Sequence, residues 1–493
     1  MADYRRQLEA YAEAGTASTP NASQESGRLR KDCGISVKKL EGRTDLANAR
    51  RLVKLYGKDL RYCFLWKSWI VWDGTRWNVD DTGAAYRLAK GVADSVWIEA
   101  MQDDISLDDE ERSKEKALRF AAATASDKSI KAMLSLAQSE LPILPDELDQ
   151  NPWFLNCPNG TLDLRSGKLF DHRRQDFITK LCPTEYKRTA ETYDWDRFME
   201  QVHNQDDLIR WSQRWYGYCL TGDVREHVLP IYFGCGANGK STEIEAYMHA
   251  LGSDYAMKAP PHLLLAKKND SHPTERADLF GKRFVACVET GDGRKLNEPL
   301  IKELTGGDTV RARRMRENFW EFKPSHKVIL CTNHKPVVKG TDNAIWRRLR
   351  LNPFDQVFTE DEQDKTLSEK LKACAEGILS WAVQGCLEWQ KNGLGTAAAM
   401  QDATQEYRSS QDVVGSFIAE RCVQHAQFKV RSKQIFEEFE QWCTENGETE
   451  ISRKKFGQQI ESEGFERFTN NGVWYRGIAI GTEGTEGTEG TEP

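Results

Sequence analysis

The sequence predicts an α/β protein: a P-loop NTPase core on a mostly parallel sheet, a mixed α+β domain before it, and a winged-helix-like domain after it. Three observations predict this. From Val228 to Phe354, short apolar runs of strand character alternate with helix-compatible stretches, the pattern that sandwiches a parallel sheet between helices. One of those runs, Leu229-Pro230-Ile231-Tyr232-Phe233, leads directly into Gly234-Cys235-Gly236-Ala237-Asn238-Gly239-Lys240-Ser241. Residues 411–480 read as three helices followed by a hairpin that turns at Asn470-Asn471-Gly472.

A chain of 493 residues suggests two to four domains. No run approaches ~18 consecutive apolar residues, which argues against a membrane span. Nothing apolar follows Met1-Ala2-Asp3-Tyr4-Arg5-Arg6, so a secretory signal is not expected; the expected compartment is the cytoplasm, that of a bacterial host. The 12 cysteines contain no C-x-x-C pair, a pattern that suits a reducing compartment and opposes a zinc ribbon or a disulfide framework. Cys287 and Cys331 sit inside apolar runs, where Cys behaves as a small core residue. The formal net charge of −7 hides a local contrast, for residues 281–350 hold 16 Lys plus Arg against 8 Asp plus Glu. Such a basic block steers one surface toward phosphates, although a solvated charged face reads the same from composition.

In chain order, residues 1–45 form a polar arm with a short helix near Arg5–Ala14. An α+β domain is expected over 46–205. It contains a tryptophan-rich hairpin (Trp66, Trp69, Trp72, Trp77) turned by Asp73-Gly74, the dipeptide of tight hairpins; core packing is the simpler role for these indoles, base stacking the sharper one. Helices follow from Ala84 to about Leu141, interrupted by an acidic loop at Asp103–Glu111. A second hairpin region spans Asn156–Phe170. Asp194-Trp195-Asp196 resembles a paired acidic site but opens a polar helix, so it reads as a helix N-terminus. The motor is expected over 206–395, its amphipathic segment Asp361–Trp389 ending at Gly393 and Gly395. The winged-helix-like domain covers 396–480. The Gly-Thr-Glu repeats of 481–493 have nothing apolar to bury and should be disordered.

Gly234–Ser241 satisfies G-x-x-x-x-G-K-[ST] between a strand and a helix-compatible stretch, Thr242–Leu251, the context the motif requires. Glycines let backbone N–H groups wrap a phosphate, and the helix N-terminus adds partial positive charge. Gly234, Gly236, Ala237, Asn238, Gly239, Lys240, Ser241 and Thr242 are therefore the candidate ATP-binding residues, with Lys240 on the β/γ-phosphates and Ser241 on Mg2+. A phosphate loop also needs a carboxylate on a neighbouring strand. Glu289 ends the apolar run Phe284–Val288 and is the candidate for metal and water; Asp292 is a weaker second. Asn333 ends Lys327–Thr332 and could orient water. Arg347 and Arg348 could supply a finger to a neighbouring subunit's nucleotide. Between those last two runs lies a basic hairpin, Thr309–Lys323. Its Arg311, Arg313, Arg314, Arg316 and Lys323 crowd the element beside Phe319, Trp320 and Phe322, a mixture that suits single-stranded polynucleotide and also an edge protected by charge.

The order of these motifs is recognisable. The loop itself, Gly281-Lys282-Arg283 leading to Glu289-Thr290, Leu304-Thr305-Gly306-Gly307-Asp308, Thr332-Asn333-His334-Lys335-Pro336, and Gly340-Thr341-Asp342 leading to Ile345-Trp346-Arg347-Arg348 resemble superfamily 3 helicases. More narrowly they resemble the phage/plasmid primase-helicase family, related to the poxvirus primase-helicase. Upstream, Asn159–Leu164 and Gly217–Asp223 resemble the domain that precedes that motor. The resemblance implies an AAA+-like core, a homo-hexameric ring with ATP sites between subunits, and 3′-to-5′ movement on single-stranded or forked DNA. It implies catalytic roles for Lys240, Glu289, Asn333 and the arginine pair, and a DNA-contacting role for the basic hairpin. Thr290 stands where many relatives carry a second acidic residue. No apolar strand ends in D-x-D, so the expectation is a helicase half served by a separate primase or polymerase. Two other functions fit the same motifs: an ATP-dependent origin-binding protein that melts or loads, and a primase-helicase with cryptic primase activity.

Overall fold

The computed structural model describes residues 42–102, 110–266, 273–288, 294–314, 319–338, 343–446 and 451–481. Expectations for the N-terminal arm, the repeat tail, most of the acidic loop, Glu289, Asp292 and Arg316 fall outside these residues. The chain forms two compact units: one runs to Tyr62 and resumes over Asp80–Pro142, and the other holds Cys63–Val79 with everything from Ile143. This division cuts across the expected 46–205 domain.

The first unit is helical: Asp45–Tyr56, Ala84–Gln102, Glu110–Thr124 and Asp127–Ala137. Thr44 caps the first of these by accepting from the Ala47 N–H, and Ser126 caps the last from Ser129. Inside, Asn48 donates to Thr124 Oγ1 at 3.1 Å and accepts from Arg51 at 3.0 Å, so the buried amide keeps partners, as burial requires.

In the second unit the tryptophan hairpin pairs Ser68–Trp72 with Trp77–Val79. Asp73 Oδ1 accepts from the Thr75 and Arg76 N–H groups at its turn. Trp77 is 1% exposed, stacks on Phe177 and donates its indole N–H to Arg174 O. The core role holds for Trp69 and Trp77; Trp66 is exposed. These contacts with 174–178 explain why Cys63–Val79 leaves the helical unit.

The central domain holds a five-stranded, wholly parallel sheet of β1 (Leu229–Phe233), β2 (Ala256–Ala259), β3 (Phe284–Val288), β4 (Lys327–Thr332) and β5 (Leu349–Pro353). Its order is β5-β1-β4-β3-β2. β1 is thus separated from β2 and β3, because β4 inserts between β1 and β3. Helices α1 (Tyr193–His203), α2 (Asp206–Cys219), α3 (Lys240–Leu251), α4 (Glu298–Gly306), α5 (Asn343–Trp346) and α6 (Ala375–Asn392) surround it. As expected, Asp194 and Asp196 lie in the first turn of α1. The long segment from Asp361 is not one helix. Leu367–Ala373 and α6 are separated at Cys374.

Helices α2 and α6 cross with their backbones nearly touching. A Cβ on Gly217 would lie 2.0 Å from Cys386 N, and one on Gly385 would lie 1.9 Å from Gln213 O. Only glycine permits that approach, and it lets Trp211, Trp215, Tyr216 and Tyr218 of α2 be buried in the core.

The C-terminal region departs from the expected three helices and a hairpin. A ten-residue strand, Cys422–Arg431, stands between helix Val413–Arg421 and helix Ser432–Asn446. It pairs antiparallel with Val473–Ile480, which pairs in turn with Glu466–Thr469. Of this strand only Val430 is fully buried, so its sequence lacks the apolar alternation that announces a strand.

Candidate functional site

The two ends of the motor sheet carry different chemistry. At the C-terminal end, β1 delivers the chain into the phosphate loop and α3 starts at Lys240. Gly239 takes φ +84°, and a Cβ there would lie 2.6 Å from Val202, so the turn needs glycine twice over. Cys235, Gly236 and Ala237 are exposed at the rim, and nothing stands within 4 Å of the Gly236 Cβ position. Asn238 ties the loop to β5 through Phe354 O at 3.2 Å, and Ala237 O accepts from the Phe358 N–H. Lys240 is buried, and its Nζ donates to Gly234 O (2.7 Å), Asn238 Oδ1 (2.9 Å) and Cys235 O (3.1 Å). Burial holds its pKa below the ordinary lysine value. An ammonium with only neutral acceptors around it suits a site that receives anionic oxygens. Ser241 is exposed and reaches the Cys331 thiol of β4, whose pKa burial pushes up to about 11. Thr242 follows, half-buried, in the first turn of α3.

Strand β4 ends beside this loop, for Thr332 pairs with Phe233 and Cys331 pairs with both Tyr232 and Val288. Thr332 Oγ1 donates to His334 O and accepts from His334 N–H, a turn that leaves Asn333 exposed at the strand end. Lys335 then lies 5.1 Å above the Phe233 ring. So Asn333 is brought to the same edge as the loop, as expected. Among the described residues no group of three His, Cys, Asp or Glu could hold a metal ion.

Sequence reading missed the support beneath the loop. Glu243, one turn into α3 and fully buried, engages His203 (2.9 Å) of α1 and accepts from Tyr216 (3.0 Å) of α2 and Tyr232 (3.0 Å) of β1. Burial, and next the Glu243 carboxylate, raise both phenols well above their ordinary value, so both stay protonated donors. The signal was hidden because the partners come from three separate elements.

At the N-terminal end of the sheet hangs the basic hairpin, Val310–Ala312 paired with Trp320–Phe322 and joined to β4 through Pro324-Ser325-His326. The paired stretch is shorter than the expected hairpin span Thr309–Lys323. The Arg311 and Arg313 guanidinia lie 4.5 and 4.8 Å from the Phe319 ring centroid, a cation–π distance. Arg311, Arg314, Lys323 and Phe319 are exposed.

The arginine pair is divided. Arg348 is 8% exposed and donates to Thr305 Oγ1 (3.1 Å) and Ala344 O (2.9 Å), and its carbonyl accepts from Leu229. It is held inside its own chain, which corrects its place as a candidate finger. Arg347 is exposed. Both precede β5, whose first residue pairs with the first residue of β1. Arg347 therefore stands at the opposite end of the sheet from its own phosphate loop, a strand length of roughly 15 Å away.

Comparison with known proteins follows the same outline. Residues 49–204 match a family described as D5 N terminal like, 232–348 a family of unknown function, and 409–473 a family described as poxvirus D5 protein-like. A protein of Acanthamoeba polyphaga mimivirus, provisionally named a helicase, is 28% identical over 61% of this chain and 34% of its own length. One from African swine fever virus, provisionally named a primase, is 22% identical over 65% of this chain and 36% of its length. Invertebrate iridescent virus 6 has one provisionally named a helicase, 26% identical over 46% of this chain and 24% of its length. The matched region spans about a third of the first two. The apo C-terminal region of NrS-1 shares the fold at a TM-score of 0.51 and 12% identity, covering 90% of this chain and 100% of that one. The resemblance read from the motifs is thereby borne out. These relatives are proteins of DNA viruses, so the phage or plasmid setting gains nothing from them. No helix among the described residues is long and apolar enough to cross a membrane.

Proposed function

For a chain that carries both the N-terminal and the C-terminal domain of the poxvirus D5 type, we propose an ATP-driven replicative helicase acting on single-stranded or forked DNA. One observation carries this reading: the Gly234–Ser241 loop, whose motif suits a triphosphate, and a cation–aromatic hairpin lie at opposite ends of one sheet and are linked through β4. The loop of 234–241 cradles the triphosphate, Lys240 neutralises its β/γ oxygens, and Ser241 with Glu289 holds Mg2+. Asn333 orients the attacking water.

Arg347 serves the nucleotide of a neighbouring copy, because it is exposed and a sheet length away from its own loop. Such a site is complete only in an oligomer, and an AAA+-like homo-hexameric ring moving 3′-to-5′ is the form we propose. The helix–strand–helix–helix–hairpin order after Val413 supports a winged-helix fold for the C-terminal domain, and priming is assigned to a separate primase or polymerase. The test is ATP turnover with and without single-stranded oligonucleotide, alongside strand separation on a fork. Stimulated turnover and unwinding, both lost in Lys240→Ala, are expected; a protein that binds origin duplex but never unwinds would overturn the reading in favour of an initiator.

A further inference from the structure

The N-terminal end of the sheet holds more than the hairpin. A cavity of about 790 Å³ opens between the end of α3, the start of β2 and the turn before β3, a volume in the range of ligand sites. Arg314, which follows the first hairpin strand, is one of its walls. Lys180 and Lys282 form another, from segments more than a hundred residues apart. We propose that this cavity is a second contact for the strand leaving the hairpin: Lys180, Lys282 and Arg314 bind the phosphodiester backbone of single-stranded DNA, and Phe280 supports a base. The proposal rests on the helicase reading above and extends it to a defined path.

Four observations support it. First, Lys180, Lys282 and Arg314 have no carboxylate within ion-pair distance among the described residues, whereas the neighbouring Lys258 is paired with Glu245. Asp278 is the one other carboxylate on the wall. Second, like charges are crowded together. The Gly281 Cβ position is 2.5 Å from Lys180 Cε and 2.8 Å from its Nζ, so Lys180 lies over the residue next to Lys282. Desolvation first, and then Lys180, lower the Lys282 pKa against the opposing pull of Asp254 and Asp278; an anion between the two lysines would relieve their repulsion. Third, Phe280 is 38% exposed at the mouth. It meets Trp320 edge-on at 5.1 Å and Phe322 at 5.4 Å, so its orientation is fixed by the hairpin. Fourth, the path is continuous, since Arg311 and Arg313 sit on Phe319 and Arg314 follows directly into the cavity. Cations beside aromatic rings are what a sequence-tolerant single-strand site needs.

Free nucleotide phosphates have the same chemistry, so the test separates the two sources. Full-length protein is titrated with fluorescent oligodeoxythymidylates of increasing length over a range of salt. The variant is Lys180→Gln with Lys282→Gln, and Lys180→Arg with Lys282→Arg is the conservative control. The Gln pair is expected to lower the magnitude of the salt slope by about 1.4, at about 0.7 per phosphate contact on a single strand. It should also abolish the affinity gained by longer oligonucleotides, while basal ATP turnover is kept and the Arg pair restores both. Wild-type slope and length dependence in the Gln pair would overturn the proposal. So would loss of a second bound mononucleotide analogue with oligonucleotide binding intact. Arg311→Ala with Arg313→Ala is run in parallel. If it weakens binding while the Gln pair does not, the cavity alone is wrong; if wild-type protein binds no oligonucleotide at all, the helicase reading itself fails.

Discussion

At one end of the motor sheet, chemistry is written in consecutive residues. At the other it is assembled from distant ones. The Gly234–Ser241 loop is eight residues long, and its lysine, serine and glycines lie together because they are consecutive. The cationic cavity draws on Lys180, Lys282 and Arg314, which meet only because distant parts of the chain return to the same end of the sheet. The difference teaches that a phosphate loop is a local solution, built from backbone N–H groups and a helix end. A polyanion track needs only charge at a spacing, and any element can supply it.

Substitutions at the two ends should therefore separate turnover from binding. The largest effect is expected from Lys240→Ala, which should lower ATP turnover by roughly 10²–10³-fold or more while leaving the salt slope of oligonucleotide binding unchanged. Arg347→Ala should match it, by roughly 10³-fold, yet a mixture of the two variants should regain activity, because each supplies what the other lacks. A mixture as inactive as its components would break the shared-site assignment. By contrast, Arg348→Ala should lower the melting temperature before it touches turnover, since it loses the Thr305 bond.

Next in size is Glu243→Ala. It strands His203, Tyr216 and Tyr232 without their acceptor and should cost about 3–5 kcal/mol of stability, the range for a broken buried pair, as read by denaturant unfolding. Unchanged unfolding would show that the network does not hold the loop. Comparable in total, but spread over several pH units, is a pH effect at the base of β4. Lys327 is buried, donating to Ser325 O at 3.1 Å and lying 4.9 Å from the Tyr218 ring centroid, and burial brings its pKa down to about 7. Above that pH the folded protein has released a proton that the unfolded chain keeps until the ordinary value of 10.5. Stability should thus rise from about pH 7 toward 10, by about 1.4 kcal/mol per pH unit. Lys327→Met should remove that slope relative to the parent, and an identical slope in both would assign it elsewhere.

The same contrast explains how far the sequence could be read. The loop, the alternation of strand and helix, the hairpin and the strand-end position of Asn333 were legible because each is encoded by neighbours. Glu243 was not, since an acidic residue in the first turn of a helix looks like dipole complementation until His203, Tyr216 and Tyr232 converge on it. Arg347 and Arg348 were indistinguishable as letters. Only the fold turns one to solvent and the other onto Thr305. Strand Cys422–Arg431 escaped because its exposed residues have no apolar rhythm, and the break at Cys374 left the apolar spacing on both sides intact.

Strand β4 has a consequence of its own. All six of its residues are buried, and it is hydrogen-bonded to a parallel neighbour on each side. A rod clamped in this way has no slack to absorb a push. A shift of the Asn333 turn must either slide the strand as a piece, carrying Pro324-Ser325-His326 and the hairpin with it, or tear its ladder.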